Sequence, residues 1–329
     1  MVSVEGLNAR NWDEIRPIYQ EFLDRPINSA VELESWLLEL GRFDAYVGET
    51  GSMLYVGMTC DTENEEVKQA YLDFVEQVQP ELAKVGDLLN RKLAESPFAD
   101  DLDTVEYNVL LRDTRMDLQL FREENIPLGT ELTKLGQRYN EICGAMTVDF
   151  EGEERTMQQM GKFLQVNDRD VRERAYRLVG ERRFQDSEEI DDIFDKMIAL
   201  RHQVAQNAGY DNFRDYTFDA KHRFDYTPED CESFQTAIEQ ICVPLMRDID
   251  DTRRNSLGLE ALRMWDMGHD VQGREPLQPF AEVEEMVSGA SMEVNSSFEL
   301  DYGDDIGIVN LKPPWKRIEL RKAIIDFSG

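Results

Sequence analysis

Three histidines, His202, His222 and His269, carry all the imidazoles of this 329-residue chain, and they are followed by Gln203, Arg223 and Asp270. Asp219-x-x-His222 and Asp266-x-x-His269 each set a carboxylate three residues before a histidine, with Asp270 a third acid. On a helix such a pair can face one metal ion. With 68 acidic residues in the chain, however, such pairs are expected by chance, so a structural or surface role is the plainer reading. His202 lies in a helix-forming run beside Arg201 and is expected to be solvated or hydrogen-bonded. Phe213-Arg214-Asp215-Tyr216 and Arg223-Phe224-Asp225-Tyr226 are aromatic, polar stretches between helices. Loops on a rigid scaffold often carry binding groups, which makes Arg214, Tyr216, Arg223 and Tyr226 the candidate contact residues. The competing reading is helix-connecting packing with Arg–Asp pairs. Cys60, Cys143, Cys231 and Cys242 show no C-x-x-C spacing and read as buried, reduced thiols. Cys231 and Cys242 stand eleven positions apart on one expected helix, so they share a face, cannot bridge, and are assigned to the core. No Ser/His/Asp order, glycine-rich phosphate loop or basic aromatic patch is present.

Charge narrows the class further. The chain has a net charge of −32, with 10 lysines against 26 arginines. A surface so acidic repels nucleic acid and anionic membranes, which argues against both as partners. The scarcity of lysine points to a halophilic protein adapted to molar salt, where the Debye length of about 3 Å screens self-repulsion. The chain begins without a basic segment, and no apolar run approaches the length of a membrane span. A soluble, unexported, cytoplasmic protein is expected.

The elements that must position these groups are helical almost throughout. Trp12 to Leu23 has an amphipathic period and stops before Arg25-Pro26. Ser29-Ala30-Val31-Glu32 opens a second helix, and Phe43 to Cys60 is read as helix in spite of Gly48, Gly51 and Gly57. Thr62-Glu63-Asn64-Glu65 starts a long one, with Val67, Tyr71, Phe74, Val78, Leu82, Val85, Leu89 and Leu93 at intervals of three and four. Pro80 should kink it. Helices over roughly 103–124 and 128–143 are expected to be separated by Pro127. Met146, Val148 and Phe150 alternate with polar residues before Glu151-Gly152, which predicts a small hairpin near residues 144–154. Thr156-x-x-Gln159, Asn167-Asp168, Ser187 and Thr227-Pro228-Glu229-Asp230 open further helices, with Gly209 and Gly258 as stops and Pro244 as a second expected kink. The fold class is all-α, a multi-helix array with one hairpin. The expected organisation is a helical region over 1–145, a second region over 146–290 that includes the hairpin, and a divergent tail over 291–329.

Six stretches, taken together, resemble the oligoendopeptidase F family of thermolysin-like zinc metallopeptidases. They are Leu54 to Glu65 (LYVGMTCDTENE), Leu120 to Leu128 (LFREENIPL), Gly144 to Gly152 (GAMTVDFEG), Asp168 to Tyr176 (DRDVRERAY), Leu200 to Tyr216 (LRHQVAQNAGYDNFRDY) and Arg223 to Cys231 (RFDYTPEDC). They occur in the family's order. The resemblance implies an elongated helical protein whose deep channel admits oligopeptides, with Arg214, Tyr216, Arg223 and Tyr226 as channel-lining candidates. It further implies a hydrolase in which zinc sits on H-E-x-x-H and a downstream Glu. That spacing places two histidines on one helix face and lets the intervening Glu reach the zinc-bound water.

No histidine here is followed by glutamate, so no H-E-x-x-H is present and no zinc is expected to bind this chain. In the family the zinc-bearing half lies C-terminal to all six matching stretches. After about Ser291 the resemblance fades, and residues 310–329 carry Lys312, Lys316, Arg317, Arg321 and Lys322 against Glu319 and Asp326, a net +3. The expectation is a chain whose catalytic half has been replaced through truncation or a frame change, inactive alone. The alternatives are a non-catalytic helical module that binds peptides or a partner, and one half of a split peptidase completed by a separately encoded zinc half.

Overall fold

In a computed structural model the described residues are 6–61, 64–276, 280–295, 299–301 and 308–310. The chain divides into two compact units, 1–271 and 272–329. The first is almost entirely helical. Its N-terminal part comprises α1 (Trp12–Asp24), α2 (Ala30–Cys60), α3 (Glu65–Asp73), α4 (Gln79–Ala94) and α5 (Thr104–Leu120). Ile15, Phe22, Leu33, Trp36, Met58 and Val75 are among the least exposed side chains of the core these helices enclose. The glycines of the second helix do not break it. α2 runs unbroken through them, because burial of Phe43, Val47, Leu54 and Met58 outweighs a propensity cost of roughly 1 kcal/mol per glycine. One of them is needed: a Cβ on Gly51 would stand 2.8 Å from Phe74 Cε1. Lys92 reaches back from α4 and donates to the carbonyls of Phe22 (2.7 Å) and Leu23 (2.9 Å), satisfying acceptors that the end of α1 leaves open.

Both expected proline kinks take one form. A π-helical turn, Phe74–Val78, precedes Pro80, and another, Ile238–Cys242, precedes Pro244. Each proline then occupies the first turn of the next α segment, where its missing N–H is tolerated. Pro127 corrects the sequence reading. It lies inside the first turn of α6 (Asn125–Gly144), and the break falls at residues 121–124 instead. The expected start at Thr62 falls outside the described residues, and the side chain that caps α3 is that of Asn64.

After α6 comes the hairpin: β1 (Thr147–Phe150) pairs antiparallel with β2 (Glu153–Thr156), Thr147 opposite Thr156. Its turn residues Glu151 and Gly152 both have positive φ, 58° and 80°, the two-residue turn that suits strand twist. Thr156 and Gln159 then close a reciprocal capping box on the short α7 (Met157–Met160). Asp168 caps α8 (Arg169–Gln185), and α9 (Ser187–Asn207) packs on α6. Val148, Phe150, Met160 and Ala175 form a second apolar cluster, and Ile142, Met146 and Ile193 a third.

α10 (Phe213–Ala220), α11 (Pro228–Ala237) and α12 (Val243–Ser256) complete the first unit. Thr227 caps α11 with the reciprocal bonds to Asp230 that its sequence predicts. The apolar stripe of this helix is a correction. Phe234, Ile241, Leu245 and Ile249 are 67%, 62%, 56% and 56% exposed, and no residue of α11 or α12 is buried. Cys242 and Cys60 are likewise exposed, and Cys143 and Cys231 half-buried. Helical spacing marks an apolar face without saying what covers it, so the assignment of these thiols to the core fails. In the second unit α13 (Val283–Asn295) is followed by β3 (Glu299–Asp301) and β4 (Ile308–Asn310), which pair antiparallel. The protein is thus all-α with one small hairpin in its first unit, plus this further short pairing in the second. Among the described residues no helix is long and apolar enough to cross a membrane.

Candidate functional site

The chain end of α10 sets the geometry around the candidate contact residues. Lys221 follows the helix, and His222 then takes a left-handed conformation, φ 53°. The N–H of Arg223 reaches the carbonyl of Phe218 (2.9 Å) and that of His222 the carbonyl of Asp219 (2.9 Å). This is the double bond pattern that usually carries glycine, and a side chain there costs about 1–2 kcal/mol. What holds His222 in place is α5: Nε2 lies 2.8 Å from an Asp117 carboxylate oxygen, and Nδ1 lies 3.5 Å from Asp113. Arg112 in turn bonds Asp113 (3.1 Å) and lies over the Phe224 ring, 4.6 Å from its centroid. A strained turn and an acidic helix therefore fix one another.

Asp117 also faces a cleft of about 490 Å³ bounded by α4, α5, α6 and α10, with Pro80, Leu120, Arg122, Thr130 and Tyr216 in its wall. A neighbouring cleft of about 580 Å³ shares Pro80, Ile126 and Thr130 and runs on to Lys84 and Lys134. The two make one groove along α6. Its walls are mainly apolar. Burial, and then the nearby Asp117 charge, raise the Tyr216 pKa, so its hydroxyl stays protonated and available as a donor. Arg122 is spent on the chain itself, donating to the carbonyls of Gln119 (3.0 Å) and Phe121 (2.6 Å).

Of the four candidate residues, Tyr216 lines the groove. Arg214 pairs on the surface with Asp215 (2.8 Å) and Glu232 (3.4 Å). Arg223 and Tyr226 gather on Phe218, at 5.4 Å and 5.8 Å between centres. Asp117 and Asp113 escaped the sequence reading because their partner lies 105 residues away for the closer bond. Neither D-x-x-H pair forms. Asp219 accepts from the Tyr210 hydroxyl, whose pKa is pushed up to about 12 by burial and by that bond. Asp266 is wholly buried and accepts from Arg169 (2.9 Å twice) and Arg172 (3.3 Å). His202 is exposed on α9, and His269 is buried with its Nδ1 lacking a partner.

Two family models match this chain, Peptidase M3 N-terminal domain over residues 7–121 and Peptidase family M3 over residues 162–308. The chain belongs to peptidase family M3. No curated protein matches it in sequence. Among solved structures it is similar to PZ peptidase A, crystallised with an inhibitor, at 24% identity and a TM-score of 0.81, over 88% of this chain and 52% of that one. A putative oligoendopeptidase F from Bacillus anthracis gives 22% and 0.81 over 88% and 53%, and oligoendopeptidase F from Enterococcus faecium 16% and 0.55 over 80% and 56%. At these identities the likeness is one of fold. This M3 chain spans about half the length of those relatives. The zinc of the family does not fit the residues present. The histidines stand on separate elements, His222 is already engaged by two carboxylates, and among the described residues no cluster of three or more His, Cys, Asp or Glu could hold a metal.

Proposed function

We propose that these residues are the peptide-admitting helical part of an oligoendopeptidase-like metallopeptidase that hydrolyses bonds within short peptides. The match of M3 family models to both the N-terminal and the later helices carries this reading. The groove along α6 is the peptide-contacting wall, with Tyr216 as a hydrogen-bond donor and Asp117 as its fixed charge. Pairing elsewhere leaves Arg214, Arg223 and Tyr226 as supports of that wall. Zinc, where the enzyme uses it, is held by a H-E-x-x-H sequence outside these residues, and the chain by itself binds peptides without cleaving them. The exposed stripe on α11 and α12 favours a second reading within the same class, in which a separately supplied zinc-bearing half docks on this one. The acidic, lysine-poor composition further supports a protein working at high salt.

The test is a binding and turnover pair. Purified protein is titrated with a quenched fluorescent heptapeptide, with and without zinc. Binding without cleavage is expected, together with well under one zinc per chain after desalting. Tyr216→Phe should weaken binding about threefold to tenfold, the worth of one neutral hydrogen bond. Stoichiometric zinc with chelator-sensitive cleavage would overturn the reading.

A further inference from the structure

Away from that groove, α8 and the segment after α12 enclose a cleft of about 530 Å³ with an unusual lining for so acidic a chain. Arg169, Arg177 and Arg263 contribute to it together with Trp265, Met264 and Glu173. Arg169 and Arg177 fall eight residues apart, on one face of α8. Both guanidiniums also lie near the Trp265 ring, 5.8 Å and 5.0 Å from its centroid. Their charges are partly met: Arg169 pairs with the buried Asp266, and Arg177 with Glu173 at 2.7 Å.

Two donors in this cleft are not met. The Arg263 side chain is exposed and has no carboxylate or carbonyl partner among the described residues, although acids outnumber bases by 68 to 36 in this protein. The Trp265 indole N–H is buried with no acceptor. A buried donor left without a partner is unfavourable, and an acceptor entering the cleft would satisfy it once a small shift of the ring brings the N–H to the cleft surface. The rest of the site is rigid. Arg172, buried beneath, donates to the carbonyls of Trp265, Val166 and Asn167 at 2.8–2.9 Å, and Arg253 donates to those of Asp266 and His269.

We propose that this cleft is a carboxylate-binding subsite, in which Arg263 supplies the free positive charge and the Trp265 N–H a neutral donor. A carboxylate is the matching group: of the three lining arginines, Arg263 alone has no acidic partner among the described residues, and a carboxylate presents two acceptor oxygens in one plane to a guanidinium. That the carboxylate belongs to a peptide rests on the function proposed above. It can come from a peptide's C-terminus or from an acidic side chain, and planar arginine and indole donors suit either.

The test uses the full chain at the lowest salt that keeps its helical signal, since screening weakens an exposed charge. Four probes are titrated calorimetrically: N-acetyl-Ala-Ala as free acid, the same peptide as its amide, N-acetyl-Glu-Ala amide, and acetate. The free acid should bind about tenfold more tightly than its amide. Arg263→Gln should abolish that difference and Arg263→Lys should restore part of it. Arg263 is exposed and unpaired, so neither change threatens the fold. In proton spectra the Trp265 indole N–H resonance, assigned with Trp265→Phe, should move with the acid and stay with the amide. An Arg263-dependent gain with the glutamyl amide alone identifies the side chain as the source and upholds the subsite. Arg263-dependent acetate binding with no peptide bound upholds the subsite and sinks the peptide reading. Acid and amide binding equally, unchanged in Arg263→Gln, overturns the subsite and leaves the peptide reading standing. No binding of any probe overturns both.

Discussion

Replacing Asp266 with asparagine tests whether one buried carboxylate ties the segment after α12 to α8. Asp266 is fully buried and accepts from Arg169 Nε and Nη2, from Arg172, and from the backbone N–H of Arg263 at 3.0 Å. Asparagine keeps one acceptor oxygen and turns an NH₂ toward guanidinium donors. Arg172, only 2% exposed, would then hold an uncompensated charge in the interior. Breaking a buried pair in this way costs about 3–5 kcal/mol, a large part of the roughly 5–15 kcal/mol that folding typically provides. With a urea m-value near 3 kcal/mol/M, the unfolding midpoint followed by circular dichroism should fall by about 1 M or more. Acid sensitivity gives a second readout. Burial pushes the Asp266 pKa up, but the bonds from Arg169, the Arg263 backbone and Arg172 outweigh it, and the carboxyl ends below its ordinary value. A depressed folded value contributes stability above the unfolded pKa of about 3.9 and loses it as pH falls through the folded one. Below pH ~4 the difference between wild type and Asp266→Asn should therefore narrow. Replacing both partners, as Asp266→Leu with Arg172→Met, should recover much of the loss. A single-variant change under 1 kcal/mol, with parallel acid limbs, would refute the reasoning.

Gly51→Ala should destabilise by about 1–3 kcal/mol, because its methyl meets the Phe74 ring at 2.8 Å and 3.2 Å; an unchanged melting temperature would count against that packing. Leu245→Glu on the exposed stripe should reduce self-association in sizing chromatography and leave helicity intact, whereas loss of helicity would mean that the residue belongs to a core. Helical circular dichroism should fall as KCl is lowered from molar to ~0.05 M at pH 7 and return with salt. At a net charge of −32, many weak repulsions that a Debye length near 3 Å removes act unscreened, and full helicity at low salt would sink the salt adaptation.

Local chemistry was legible in the sequence wherever a cap or turn decides the backbone alone. Thr156 with Gln159, Asp168, Thr227 with Asp230, and the hairpin turn at Glu151-Gly152 all form as their residue types require. Pro127 was misplaced because proline signals a helix start as well as a stop, and only the neighbouring N–H groups distinguish the two. The apolar stripe of α11 and α12 misled for a different reason: period reports a face, and burial needs a partner. The candidate site was legible in part. Tyr216 reaches the groove, but its neighbour Asp117 belongs to a helix 99 positions earlier, and no local pattern links them. Arg169, Arg172 and Arg177 share α8 with Glu173 and Glu181, which reads as an ordinary charged helix side. Their convergence on Trp265 and Asp266, more than 85 residues later, was not legible.

The two π-helical turns carry a statement about ancestry. A π turn accommodates one residue more than an α turn while the helix on either side keeps its rotational phase, so it is the form in which a helix absorbs a single-residue insertion. Phe74–Val78 and Ile238–Cys242 each stand just ahead of a proline that could not have donated back into an α turn. Relatives without Pro80 or Pro244 should therefore align with a one-residue gap within these segments and with their flanking apolar faces in step. Deleting one residue together with replacing the proline should restore a continuous α-helix, where the same deletion elsewhere in α4 or α12 would swing every later side chain by about 100°.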